Sequence, residues 1–98
     1  AAAMKGYWIS RVTVNDPERY KDYLAAGGVA FAKFGGRFLA RGGRHENLEG
    51  AGRARNIVIE FDDFETALAC YRSDEYQVAQ KIREECADAD LVIVEGTA

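Results

Sequence analysis

The sequence predicts an α+β domain: a four-stranded antiparallel sheet with its helices packed on one face. Three observations predict it. Four short stretches are rich in β-branched and aromatic residues, as strands are. Two longer stretches repeat apolar residues at helical spacing. The two kinds follow one another in the order βαββαβ, and short right-handed connections leave few topologies for that order.

"GYWISRVTV", residues 6–14, is the first strand. In "NDPERY", Asn15 or Asp16 is the N-cap of a helix, Pro17 its first residue and Glu18 an acid in its first turn. Tyr20, Tyr23, Leu24, Phe31 and Phe34 form one apolar stripe, so the helix runs from about 17 to 34. Gly27-Gly28 interrupts it, and each glycine costs about 1 kcal/mol relative to alanine in a helix interior. Close packing against the sheet, a local kink or a ligand would each account for the pair. Gly35-Gly36 ends the helix, because glycine accepts the left-handed conformation that follows a helix C-cap.

"RFLAR", residues 37–41, is the second strand. The polar loop "GGRHENLEGAGRA" leads to "RNIVIEF", the third strand at 55–61. Asp62 or Asp63 caps a second helix with the stripe Phe64, Ala67, Leu68 and Tyr71. At "YRSDEY" that helix stops and restarts with Ser73 as a new N-cap, and Tyr76, Ala79 and Ile82 continue its apolar face to about Cys86. "ADLVIVEG", residues 89–96, is the last strand. The order is that of a ferredoxin-like fold. The triplet Gly-Gly-Arg occurs at 35–37 and again at 42–44. Neither copy stands between a strand and a helix N-terminus, where a phosphate cradle takes its backbone donors, so both are read as punctuation.

The chain has 98 residues, enough for one domain, expected over 5–96. A net charge of −3 argues against nucleic acid as a partner, since phosphate binding favours a positive surface. No apolar run approaches the roughly 20 residues that span a bilayer, so no membrane role is expected. The three alanines ahead of Met4 lack the features of a signal peptide and are read as an appended remnant. Cys70 and Cys86, both in helix-like sequence, are expected as reduced thiols in the cytoplasm.

An antiparallel sheet with one face in water alternates apolar and polar residues. These strands do not. One set of alternate positions reads Trp8, Ser10, Val12, Val14, then Phe38, Ala40, then Val58, Glu60, then Val92, Val94. The other reads Tyr7, Ile9, Arg11, Thr13, then Arg37, Leu39, Arg41, then Ile57, Ile59, Phe61, then Leu91, Ile93. Helices cover only one face, so the other exposes Tyr7, Ile9, Leu39, Ile57, Ile59 and Ile93 or their counterparts. Monomers rarely present so large an apolar patch. The expected assembly is therefore a homodimer joined through sheet faces.

The segments "KGYWISRVTVNDPERYKDY", "FAKFGGRFLARGG", "NIVIEFDDFETALACYRSDEYQ" and "ADADLVIVEG" together resemble the DUF1330 family of the dimeric α+β barrel superfamily. The resemblance spans residues 5–96, and its most specific pieces are "GGRFLARGG" and "IEF" followed by "YRSDEYQ". "FDDF" departs from it, because such proteins often have a proline after the phenylalanine. The resemblance implies the ferredoxin-like fold and a back-to-back dimer, and no substrate. Relatives with the same barrel include cofactor-free monooxygenases, small-lactone isomerases and haem enzymes, so the fold alone selects no reaction.

Glu60 lies between Ile59 and Phe61, an unusual place for a carboxylate; facing the helices, it would need Ser10, a tyrosine or an arginine as partner. It is a candidate acid or base, against a structural ion pair. His45, the only histidine, is a second candidate if its loop folds over a pocket. Arg11, Arg37 and Arg41 are read as sharing one face, where they would bind an anion or form salt bridges. Arg44, Arg53 and Arg55 flank the long loop and are expected in solvent. Tyr71, Ser73 and Tyr76 cluster at the helix break, lining a cleft or serving as cap and core. Arg41, Tyr71, Ser10, Ser73 and Tyr76 are the candidate ligand-binding residues. One histidine without a Cys, His or acid cluster predicts no metal site, and no cofactor is expected. The function expected is binding of a small anionic or aromatic metabolite between helices and sheet, with cofactor-free chemistry on it as an extension. A non-catalytic structural or ligand-sequestering dimer is the alternative.

Overall fold

The computed structural model describes residues 4–98; the alanines read as a remnant lie outside the described residues. The elements are β1 (Gly6–Val14), α1 (Pro17–Lys33), β2 (Arg37–Arg41), β3 (Arg55–Phe61), α2 (Phe64–Arg72), α3 (Asp74–Cys86) and β4 (Ala87–Glu95). The four strands form one antiparallel sheet in the order β2-β3-β1-β4. The fold is ferredoxin-like, and its dimensions of 44 × 34 × 17 Å fit one layer of sheet under one layer of helices.

Capping sets the element ends. Asp16 accepts a hydrogen bond from the Arg19 backbone N–H at 3.2 Å and so starts α1, with Pro17 at its first position. α1 stops at Lys33 because Gly35 adopts φ +72° and the Gly36 N–H bonds back to the Phe31 carbonyl at 2.8 Å. Asp63 caps α2 through the Thr66 N–H at 2.7 Å. Ser73 ends α2 and caps α3, its Oγ accepting from the Tyr76 N–H at 3.1 Å. β4 begins at Ala87, two residues before the expected start, because the chain turns extended directly after Cys86 and pairs Ala87 with Val14.

The core lies between the sheet and the helices. Trp8 is its centre, 1% exposed, with its ring centroid 4.7 Å from Tyr76 and 5.1 Å from Phe31, both edge-on. Cys70 and Cys86 are buried in the same layer. Burial pushes the Cys70 thiol up to about 12, and burial also raises that of Cys86. Neither thiol is therefore expected to react with Ellman's reagent at pH 8 in the folded protein. Both should react once urea unfolds it, and fast labelling in native buffer would contradict this packing.

Pairing between strands corrects the assignment of residues to faces. Alternation within β1, β3 and β4 is as expected, but Trp8 pairs with Ile59 and Ile93, and Ser10 with Ile57 and Leu91. The helix-facing layer thus joins Trp8, Ser10 and Val12 to Ile57, Ile59 and Phe61 rather than to Val58 and Glu60. Glu60 pairs with Tyr7 and lies on the opposite face. In β2 the register shifts between Phe38 and Ala40, so that Phe38 stands opposite Ile59 and Arg41 opposite Ile57. This bulge gives Phe38 and Arg41 the same face although they are three positions apart. Arg41 is thereby parted from Arg11 and Arg37, which stay on the open face.

The open face carries the row Val58–Ile9–Val92, with Tyr7 beside Val94 in the next row. Val92 is 54% exposed and Leu39 58%. Charged groups flank this patch: Arg37 with Glu60 and Asp62 at one end, Arg53 with Asp90 at the other.

Candidate functional site

A cavity of about 210 Å³ opens between α1 and the sheet. Its floor is built in rows by strand pairing. The first row supplies Phe38, Ile59 and Trp8, the second Arg41, Ile57 and Ser10, and the last Arg55 at the start of β3. Successive rows on one face are about 6.8 Å apart, so the floor runs from an aromatic end to a cationic end over roughly 13 Å. The roof is α1, whose i, i+3, i+4 spacing brings Tyr20, Tyr23, Leu24, Gly27, Gly28 and Phe31 over that floor. Phe31 meets Phe38 edge-on at 5.5 Å and closes the aromatic end.

Two arginines line the cavity, and one of them reaches over its aromatic end. Arg41 stacks on the Phe38 ring with its guanidinium carbon 3.7 Å from the centroid. The Arg55 guanidinium carbon lies 5.8 Å from the Tyr20 ring centroid. Neither arginine forms an ion pair among the described residues. Tyr20 is 5% exposed and its hydroxyl, beside the Arg55 guanidinium, makes no hydrogen bond of good geometry there; the buried Arg55 Nε makes none either. Such unsatisfied buried groups are rare in folded proteins and call for an explanation. Burial holds the Tyr20 hydroxyl above its ordinary pKa despite the nearby Arg55 and Arg83 charges, so at neutral pH it remains a donor. Burial raises Tyr23 and Tyr76 in the same way, and their hydroxyls lie 3.0 Å apart. Arg83, 8% exposed, acts electrostatically on all three phenols and also lacks an ion-pair partner among the described residues. The cluster therefore holds guanidinium charge with neutral hydroxyls and no carboxylate to offset it.

Of the residues singled out from sequence, the structure brings Ser10 and Arg41 together at this cavity. Tyr76 is fully buried in the core, and Ser73 is a cap whose Oγ also donates to the Cys70 carbonyl at 2.6 Å. Tyr71 packs on Tyr76 and borders a separate groove between the helices and β4. His45 is exposed in the loop; its Nδ1 is 3.1 Å from the Gly43 carbonyl, which can only accept, so Nδ1 carries the proton. Glu60 accepts from Tyr7 Oη and from Arg37 Nε, each at 3.1 Å, on the open face of the sheet. The hydrogen bond to Glu60 raises the Tyr7 pKa and is the main cause of its shift.

Sequence reasoning passed over Arg55, Tyr20 and Phe38 as site residues. Arg55 was expected in solvent, yet it shares the phase of Ile57, Ile59 and Phe61 and so faces the helices with them. That phase was the available signal. Gly27-Gly28 was the other: Gly27 is buried, and a Cβ on Gly28 would meet nothing within 4 Å.

A family model described as "Domain of unknown function (DUF1330)" matches residues 5–97. Among proteins with curated descriptions, none matches the chain. Solved structures share its fold. A protein of unknown function from Rhodopseudomonas palustris, RPA0582, superposes with a TM-score of 0.77 at 17% identity, covering 97% of this chain and 84% of that one. SnoaB, a cofactor-independent oxygenase from Streptomyces nogalater, gives 0.62 at 13% identity, covering 98% and 96%. A dimeric ferredoxin-like protein of unknown function from Thermobifida fusca gives 0.58 at 16% identity, covering 95% and 92%. At these identities the likeness is one of fold. The match over residues 5–97 goes further: the chain belongs to the DUF1330 family.

Proposed function

We propose that this protein binds a small anionic, ring-bearing metabolite in the cleft between α1 and the sheet, as a homodimer joined through its open sheet faces. One observation carries the binding reading: Arg41 and Arg55, neither with a carboxylate partner among the described residues, both line an aromatic-walled cavity. Cavities with apolar walls and a few convergent polar groups are the usual form of a small-molecule site. The dimer reading rests on the apolar row of the open face, and the dimeric Thermobifida fusca neighbour supports it. Glu60 and His45 stand outside the cleft, so acid–base work by either is not part of the reading. The SnoaB likeness makes cofactor-free chemistry on the bound ligand a natural extension, to be tested after binding.

Trp8 is the only tryptophan and lines the cavity, so its fluorescence reports occupancy. Titration with benzoate should give a saturable change, and benzamide, the neutral isostere, should bind at least tenfold more weakly. The double variant Arg41→Met/Arg55→Met should weaken benzoate binding by about tenfold to a hundredfold, as charge-assisted hydrogen bonds are worth about 1.5–3 kcal/mol. Equal response to benzoate and benzamide, or no response to either, would return the protein to the alternative of a structural dimer.

A further inference from the structure

α3 carries a charge in its inward phase. Its buried residues are Tyr76, Ala79, Arg83 and Cys86, at helical spacing, and Arg83 takes a place that packing would give to an apolar side chain. Arg83 is 8% exposed, forms no ion pair among the described residues, and its Nε is enclosed without a hydrogen-bond partner there. Its polar neighbours are phenols, Tyr76 first, and burial holds Tyr76 and Tyr23 above their ordinary pKa, hence neutral. An uncompensated buried cation is costly, so this position lacks an anion that the chain does not supply.

Arg83 also lines a groove of about 450 Å³ between α3 and β4, away from the cleft under α1. The groove floor is Ala87, Ala89 and Leu91, alternate residues on the helix side of β4. Two alanines there keep the floor low. Glu84 stands on the same wall as Arg83; its Oε1 accepts from Gln80 Nε2 at 2.6 Å, which leaves the second oxygen open to a donor. Asp88 borders the groove too, but it pairs with Thr13, so its side chain belongs to the open face, where it accepts from Asn15. Tyr71 and Leu91 are shared with an adjoining hollow of about 300 Å³, whose walls include Leu68 and Ile93.

A bare anion at Arg83 would meet the Glu84 carboxylate, and a bare cation at Glu84 would meet the Arg83 guanidinium. A ligand with both charges one carbon apart satisfies both, and rejects partners that carry only one. We propose that the α3–β4 groove binds a free α-amino acid with an aliphatic side chain. Its carboxylate lies on Arg83, its ammonium on Glu84 and its side chain against Leu68, Leu91 and Ile93. The groove shares no lining residue with the cleft under α1, so the two readings stand or fall separately. Benzoate, without an ammonium group, is no ligand for it.

The test is an amide ¹H–¹⁵N titration of the wild type. L-Leucine should shift Arg83, Ala89 and Leu91 along one saturable curve while Gly28 and Arg41 stay in place. 4-Methylpentanoate, which is leucine without its ammonium, and 3-methylbutylamine, which is leucine without its carboxylate, should each bind at least about tenfold more weakly. Glycine, without the apolar side chain, should bind at least about tenfold more weakly as well. Arg83→Met should stay folded, since an apolar chain in place of an unpaired buried charge is neutral or stabilising, and should lose leucine binding by at least about tenfold. Glu84→Gln should weaken leucine and leave 4-methylpentanoate unchanged. Equal affinity for leucine and 4-methylpentanoate, leucine shifts confined to Gly28 and Arg41, or no shifts at all would overturn the proposal. The ligand series in the wild type decides this whether or not Arg83→Met folds.

Discussion

Truncating Trp8 to alanine is expected to remove about 3–5 kcal/mol of folding stability, the range for deleting a large buried aromatic side chain. Trp8 is 1% exposed and touches the rings of Phe31, Phe61, Tyr71 and Tyr76. These come from α1, β3, α2 and α3, so the cavity left behind would lie where every helix meets the sheet. A domain of this size has only about 5–15 kcal/mol in total, so the variant should be close to unfolding at 37 °C. Urea unfolding followed by far-ultraviolet circular dichroism measures the loss. Leu48→Ala, at a loop position 80% exposed, should stay within about 0.5 kcal/mol of the wild type. A loss below about 1 kcal/mol in Trp8→Ala would place the core elsewhere.

The second large effect concerns assembly. Ile9→Asp is expected to convert a dimer into a monomer at micromolar concentration without unfolding the chain. Ile9 lies at the centre of the open face, paired with Val58 on one side and Val92 on the other. A carboxylate there is harmless in water but would be buried and unpaired between two sheets. Such a charge costs about 3–5 kcal/mol, a weakening of roughly a hundredfold to several thousandfold. Sedimentation velocity on wild type and variant, with circular dichroism to confirm the fold, reads the outcome. A wild type that sediments as a monomer, or a variant that remains dimeric, would show that the open face is not the contact.

The fold was legible because its signals are local. Caps at Asp16, Asp63 and Ser73, the proline after Asp16 and the glycines after Phe34 each mark an element end within a few residues. The site was only half legible because it depends on how strands align. Period-two alternation sorts residues within a strand, but which set of one strand shares a face with which set of the next depends on register. Alternation alone groups Glu60 with Ser10, and pairing places it beside Tyr7 instead. The bulge at Leu39 is a second such case. Nothing in "RFLAR" announces the shift, yet it turns Arg41 from the face of Arg37 to the face of Phe38. Arg55 was lost for a different reason: its place beside a charged loop concealed that it continues the phase of Ile57.

The presence of two greasy faces survived these errors, since it depends only on each strand carrying apolar residues in both phases. Its members changed. Val58, Val92 and Val94 replace Ile57, Ile59 and Ile93 on the open side, next to Tyr7, Ile9 and Leu39. The patch is smaller in side-chain bulk than expected, and charged pairs border it at both ends. A sheet face of this kind, apolar in the middle and polar at its rim, has the anatomy of a protein interface.

The most direct test of the cleft is residue-resolved. In an amide ¹H–¹⁵N correlation spectrum of the uniformly labelled protein, saturating benzoate should shift Ser10, Tyr20, Gly27, Gly28, Arg41 and Arg55 together along one binding curve. Glu60 on the open face, His45 in the loop and Ala89 beside the α3–β4 groove should stay in place. Shifts concentrated at Glu60 and Arg37, or at Tyr71 and Ala89, would move the site off the cleft, and a spectrum unchanged at saturating benzoate would contradict anion binding there.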